Sequence, residues 1–133
     1  MAYETITVDS DKKITTITLN RADKMNAISP SMLADLKQAL ASAAGDDDVS
    51  VVVLKSLGKV FCAGYDLSPK DWIVSQFPAD FEHGVDIQKD REDVIELLEY
   101  WLDLWQFPKP IIASVQGPAL SGAGELLAMC DLV

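Results

Sequence analysis

Residues 111–131 constrain the fold more than any other stretch. Ile111-Ile-Ala-Ser-Val115 is a short apolar run of β-prone residues, Gly117-Pro-Ala-Leu-Ser-Gly-Ala-Gly124 is rich in small residues, and Leu126-Leu-Ala-Met-Cys130 is apolar and helix-compatible. A strand, a small-residue turn and a buried helix start is the economical reading. Gly117, Gly122 and Gly124 permit a tight turn with room beside the backbone. A helix beginning there has unpaired N–H groups in its first turn and the positive end of its dipole. Such an end suits an anion, or an oxygen that becomes one during a reaction. Glu125 falls within that turn; read alone, it is equally a carboxylate favoured by the helix dipole.

Val60-Phe-Cys-Ala-Gly-Tyr-Asp-Leu67 repeats the pattern after a second apolar run, Val49 to Leu54. Ala63 and Gly64 are small, which leaves the N–H groups of Gly64 and Tyr65 open to approach. Two strand-ending loops, each offering N–H groups, can bind one oxygen between them as an oxyanion hole does.

These two loops resemble the signature loops of the crotonase family, the enoyl-CoA hydratases and isomerases. Ile17-Thr-Leu-Asn-Arg-Ala-Asp-Lys-Met-Asn-Ala27 is similar to the first motif of that family. The three motifs occur in the family order, and the resemblance runs from about Ile6 to Val133. It implies an α/β, crotonase-like spiral fold of the ββα type, with residues 1–133 forming the amino-terminal portion of the domain. It also implies an acyl-CoA thioester substrate, with coenzyme A as part of that substrate and no separate cofactor.

By matching, the backbone N–H groups of Tyr65 and Gly122 are the oxyanion donors and Glu125 is the general acid/base. Substrate contacts fall to Lys24, Ala27, Ala63, Gly64, Tyr65, Asp66, Leu67 and Gly122. Two departures stand out: Ser121-Gly-Ala-Gly124 replaces a denser glycine run, and Tyr65 is bulkier than the alanine of many hydratases. The chain stops in an apolar run just after the second signature loop, so the expectation is a piece of a longer protein, weakly active alone. The rival from another class is a non-catalytic acyl-CoA-binding or assembly fragment.

Composition narrows the partners. The 133 residues include 21 acidic and 11 basic ones, a net charge of −10, which excludes a nucleic-acid role and disfavours anionic membranes. An anionic ligand then needs a local basic patch, for which Arg21, Lys24 and Lys59 are the candidates. Hydrophobic residues make up 49%, enough for one packed core rather than disorder. No apolar run approaches a membrane span and Met1–Asp9 is unlike a signal peptide. A cytoplasmic location, with Cys62 and Cys130 as reduced, packed thiols, is the expectation. Neither cysteine has metal-ligand spacing, and Asp46-Asp-Asp48 reads as a solvated turn rather than a metal site.

Along the chain, Thr5–Val8 and Lys13–Leu19 alternate as a hairpin about Asp9-Ser-Asp11. Asn20–Ala27 reads as a loop, and Ser29-Pro30 opens a helix whose apolar positions are Met32, Leu33, Leu36, Leu40 and Ala44, with Gly45 as its stop. Val49–Leu54 is the next strand, parallel by the crossover rule. Pro69–Gly84 is the least legible part; it holds His83, the single histidine, read as a surface residue. Gln88–Phe107 is an amphipathic helix with Val94, Leu97, Leu98, Trp101, Leu104 and Trp105 on its apolar face.

A serine hydrolase would place glycines two residues either side of Ser121, where Ala119 and Ala123 stand. A dinucleotide fingerprint fails at Leu127. Outward apolar surface and the family resemblance point to a homo-oligomer.

Overall fold

The computed structural model describes residues 3–68 and 87–133. Strands β1 (Ile6–Asp11), β2 (Ile14–Leu19), β3 (Val51–Ser56) and β4 (Ile111–Ala113) form one sheet in that spatial order. The first two are an antiparallel hairpin; β2, β3 and β4 run parallel. Parallel neighbours require a crossover, and α1 (Pro30–Gly45) supplies the one between β2 and β3. Helix α2 (Ile87–Trp105) leads into β4, and α3 (Gly122–Ala128) follows it. Three parallel strands therefore end on the same edge of the sheet, and each is followed by one of the three sequence motifs.

The hairpin turn falls at Lys12-Lys13, both at positive φ (47° and 72°), with Asp11 paired to Ile14. Asp9-Ser-Asp11, the sequence-predicted turn, lies inside β1. Positive φ at both positions marks a type I′ turn, whose twist matches that of the strands. Glycine or asparagine would announce it, and lysine does not.

Helix α1 begins as its sequence dictates. Pro30 occupies the first helical position, and the Ser29 hydroxyl accepts from the Met32 N–H at 3.2 Å. Met32, Leu36, Ala39 and Ala43 are buried, with Leu33 and Leu40 half-buried beside them. They join Ile17, Leu19, Val52, Leu54, Ile111 and Leu126 in one core. Gly45 is the last helical residue, and Asp46 beyond it is extended. The Lys109 ammonium donates to the carbonyls of Ala43 and Asp46, both at 2.6 Å. A cation there satisfies end carbonyls and complements the dipole. The acidic turn is exposed, and the Asp48 N–H closes it on the Asp46 carboxylate at 2.9 Å.

Helix α2 corrects the expected apolar face. Trp101 and Leu104 are buried and Leu97 is half-buried, whereas Val94, Leu98 and Trp105 are exposed, Trp105 by 66%. The apolar arc of this helix is wider than the side it turns to the core, where Leu97, Tyr100, Trp101 and Leu104 recur at three- and four-residue spacing. Trp72, Phe77, Phe81 and His83 lie outside the described residues.

Replacing Ser29 with alanine should cost about 1 kcal/mol, because its buried hydroxyl satisfies an α1 N–H that water does not reach. Urea denaturation of Ser29→Ala against the parent checks this, and an unchanged midpoint would mean that the cap contributes nothing.

Candidate active site

The three motif loops are stitched together by backbone and side-chain hydrogen bonds. In the first loop a 3-10 turn at Ala22–Lys24 is followed by Met25 and Asn26 at φ 51° and 53°. Asparagine tolerates this left-handed region better than most residues. Asn26 is fully buried; its carbonyl accepts from the Arg21 N–H at 2.9 Å, and its amide donates to the carbonyls of Leu57 (2.7 Å) and Val60 (3.1 Å). One side chain thus holds the first loop closed and ties it to the second.

The second loop runs beside the first as a short parallel bridge. The Ile28 N–H donates to the Gly64 carbonyl at 2.7 Å, and the Asp66 N–H donates to the Ile28 carbonyl at 2.8 Å. Because neighbouring groups alternate along extended backbone, the N–H and carbonyl of Tyr65 point away from Ile28. The Gly64 N–H donates to the Cys62 sulfur at 3.4 Å, while the Tyr65 N–H lies on the side away from Ile28.

On that outer side lies the third loop. The Leu120 N–H donates to the Cys62 carbonyl at 3.1 Å, and the Phe61 N–H donates to the Pro118 carbonyl at 2.9 Å. Gly64 has φ +92°, and a Cβ there would sit 2.7 Å from the Leu120 carbonyl oxygen and 3.3 Å from the Gly122 nitrogen. Gly122 is equally confined, since a Cβ on it would meet the Tyr65 ring at 2.7 Å. Leu120–Ala123 is a turn closed by the Ala123 N–H on the Leu120 carbonyl at 3.0 Å, with Ser121 at φ 51°, ψ −124°. Those angles belong to a type II′ turn, whose position here favours glycine, so Ser121 holds strain of about 1–3 kcal/mol. The turn sets the direction of the Ser121–Gly122 peptide. Gly122 opens α3, and its N–H has no acceptor within the helix.

Glu125 stands one turn into α3, exposed, with its Oε2 accepting from the Tyr65 hydroxyl. The Trp101 indole N–H from α2 donates to the same hydroxyl at 3.1 Å. Burial, and next the hydrogen bond to Glu125, push the Tyr65 phenol above the usual tyrosine range against an opposing effect of the Trp101 bond. Burial also raises the Cys62 thiol, opposed by the Gly64 N–H. Burial and then the Asp131 charge lift Cys130 to about 11. Both thiols are protonated at neutral pH and are poor nucleophiles. Among the described residues no group of His, Cys, Asp and Glu could hold a metal ion, and no helix is long and apolar enough to cross a membrane.

The model of the enoyl-CoA hydratase/isomerase family matches residues 9–133. The chain belongs to that family. The peroxisomal Delta(3,5)-Delta(2,4)-dienoyl-CoA isomerase of Arabidopsis thaliana is 29% identical over 134 residues, covering 98% of this chain and 48% of the relative. The crystal structure of an enoyl-CoA hydratase from Shewanella pealeana superposes with a TM-score of 0.82 at 29% identity, over 97% of this chain and 45% of that one. An enoyl-CoA hydratase/isomerase from Xanthobacter autotrophicus gives 0.79 at 31% identity, over 98% and 45%. The crotonase fold expected from the motifs is therefore the fold observed, and the chain spans about half the length of the curated relatives it matches.

Within this crotonase-family chain, Gly64, Tyr65, Gly122 and Glu125 converge. Ala63 is half-buried at the same junction, its N–H donating to the Met25 carbonyl at 3.0 Å. Lys24 and Leu67 are exposed on the two flanking loops, and Lys59 is exposed nearby. Ala27 is buried, with its carbonyl accepting from the Arg21 guanidinium. Asp66 and Arg21 form an ion pair at 2.9 Å whose side chains are 7% and 17% exposed. With its second contact, to the Ala27 carbonyl, Arg21 braces the first loop against the second. Asn26 and Trp101 escaped the sequence reading as site residues, because neither a loop asparagine nor a helix tryptophan reveals its distant partners. A separate cleft between α1 and α2, lined by Leu33, Lys37, Asp93, Leu97 and Tyr100, contains none of the motif residues.

Burial by itself would raise the Asp66 carboxyl, but the Ser68 hydroxyl and N–H and the Arg21 guanidinium outweigh it and hold it at about 2. A carboxylate depressed on folding adds stability that is full above its unfolded value, 3.8, and is lost as pH falls toward about 2. Asp66→Asn should flatten the stability profile in that window, as followed by urea midpoints at successive pH values. Equal acid slopes in the two proteins would contradict the assignment.

Proposed function

We propose that this chain contributes the catalytic loops of an acyl-CoA-processing enzyme of the hydratase/isomerase type. The thioester carbonyl lies between the second and third loops, and the N–H groups of Tyr65 and Gly122 bind its oxygen as negative charge develops on it. Removing one donor of this kind costs on the order of 3 kcal/mol in other enzymes, so the pair supplies much of the rate. Glu125, one turn beyond Gly122, exchanges a proton with the acyl chain or with a water beside it. The convergence of Gly64–Tyr65 with Ser121–Gly122, and Glu125 beside them, is the observation that carries this reading.

The remaining site residues fit around that centre. Ala27, Ala63 and Gly64 leave space along the first two loops for the substrate, and Leu67 offers an apolar contact to the acyl or pantetheine chain. Lys24 and Lys59, exposed on those loops, attract the coenzyme A phosphates toward a chain whose net charge is otherwise −10. Asp66 acts from beneath, through Arg21. No cofactor beyond the coenzyme A of the substrate enters the reaction. Self-association fits the exposed apolar arc of α2, where Val94, Leu98 and Trp105 lie open.

Glu125→Gln keeps the shape and removes the base. In the protein that carries this chain it should lower turnover of crotonyl-CoA or a β,γ-enoyl-CoA by about 100-fold or more, with acyl-CoA binding retained. Absorbance of the conjugated double bond and a calorimetric titration measure the two quantities. Unchanged turnover on every accepted acyl-CoA would reject Glu125 as the acid/base; binding without turnover in the parent would favour a purely ligand-holding role.

A further inference from the structure

The Tyr65 side chain is the feature of the site that the oxyanion reading leaves unused. Its backbone serves the second loop, but its ring crosses to the third. The ring lies against Gly122 so closely that any Cβ there would be 2.7 Å from its carbons. Its hydroxyl meets two groups from two helices: it accepts from the Trp101 indole N–H of α2 at 3.1 Å and donates to Glu125 Oε2 of α3. Trp101 is itself fixed, 4% exposed and packed edge-on against Tyr100 with ring centroids 4.9 Å apart.

These contacts define the direction of one proton. A phenol has a single O–H donor, and the indole can only donate. With the indole N–H directed at the phenol oxygen, the phenol proton is turned toward the carboxylate. The phenol stays protonated above the usual tyrosine range. Glu125, by contrast, is exposed near the start of a short helix, where its side chain would otherwise sample several rotamers.

We propose that Tyr65 is the positioning residue for Glu125, holding Oε2 so that Oε1 faces the reacting carbon. This rests on the reading of Glu125 as the acid/base. In the proton-transfer step Oε1 takes a proton from the acyl chain, the C–H pair shifts toward the carbonyl, and charge appears on the oxygen between the Tyr65 and Gly122 N–H groups. Tyr65 keeps its own proton throughout. One residue therefore serves both halves of the reaction, its N–H at the oxyanion and its hydroxyl at the base, with Trp101 locking the arrangement from α2.

Tyr65→Phe retains the ring against Gly122 and removes only the hydroxyl. It should lower kcat by about 10- to 100-fold, the range a hydrogen bond to a charged group is worth, while KM stays near the parent value. In a Glu125→Gln background the same change should cost little further, because the two groups act as a unit. A rise in KM at constant kcat, or full additivity of the two losses, would overturn the proposal in favour of a role in pocket shape.

A readout independent of turnover uses the indole ¹H–¹⁵N resonance of Trp101, assigned through Trp101→Phe. It should move in Tyr65→Phe, which loses its acceptor, and also in Glu125→Gln, which no longer polarises that acceptor. If Glu125→Gln leaves turnover intact but shifts this resonance, the acid/base reading fails while the linkage stands. If turnover falls but the resonance is unmoved by Glu125→Gln, the linkage itself is refuted.

Discussion

The site depends on the contact between the second and third loops, where backbone passes so close to backbone that no side chain fits between. A Cβ on Gly64 would press on the Leu120 carbonyl at 2.7 Å, and the positive φ of Gly64 disfavours one in any case. The Cys62–Ala119 bridge, with the Leu120 N–H donating to the Cys62 carbonyl at 3.1 Å, fixes the same crossing from the strand side. From this one approach follow the meeting of the Tyr65 and Gly122 backbones, the stacking of the Tyr65 ring on Gly122, and the reach of the phenol to Glu125. The strain at Ser121 is tolerated because the surrounding turn has no freedom to relax it.

Beneath the loops a buried polar web does what apolar packing cannot. Asn26, the Arg21–Asp66 pair and Ser68 satisfy one another and the carbonyls of Ala27, Leu57 and Val60. A satisfied network of this kind specifies one arrangement of irregular backbone, because breaking any member strands the others away from water. Under the proposed function, in a chain of net charge −10, exposed lysines such as Lys24 and Lys59 attract the anionic substrate, so its binding should be salt-sensitive.

The sequence made some levels of this organisation legible and hid others. Strand, helix and loop order could be read because periodicity, the Ser29-Pro30 start and the glycine runs are local signals. The motif loops could be placed on one edge because parallel strands oblige them to lie there. The Lys12-Lys13 turn was hidden because its φ angles come from strand pairing and not from residue preference. The exposed stripe of α2 was hidden because an apolar arc does not say how much of itself is covered. Tyr65 was legible as a backbone position by its place after Gly64. Its side-chain role was not, because Trp101 and Glu125 lie 36 and 60 residues further on and meet it only in the fold.

In the proposed function, two backbone N–H groups on the joined loops polarise a thioester carbonyl. The most direct measurement is the infrared carbonyl stretch of an acyl-CoA carrying a ¹³C label at that carbon, taken free in water and bound to the protein. Two N–H donors in a site with less water should move the bound band to lower frequency than water does. A bound thioester whose band stays at or above its value in water would show that the carbonyl does not lie between Tyr65 and Gly122.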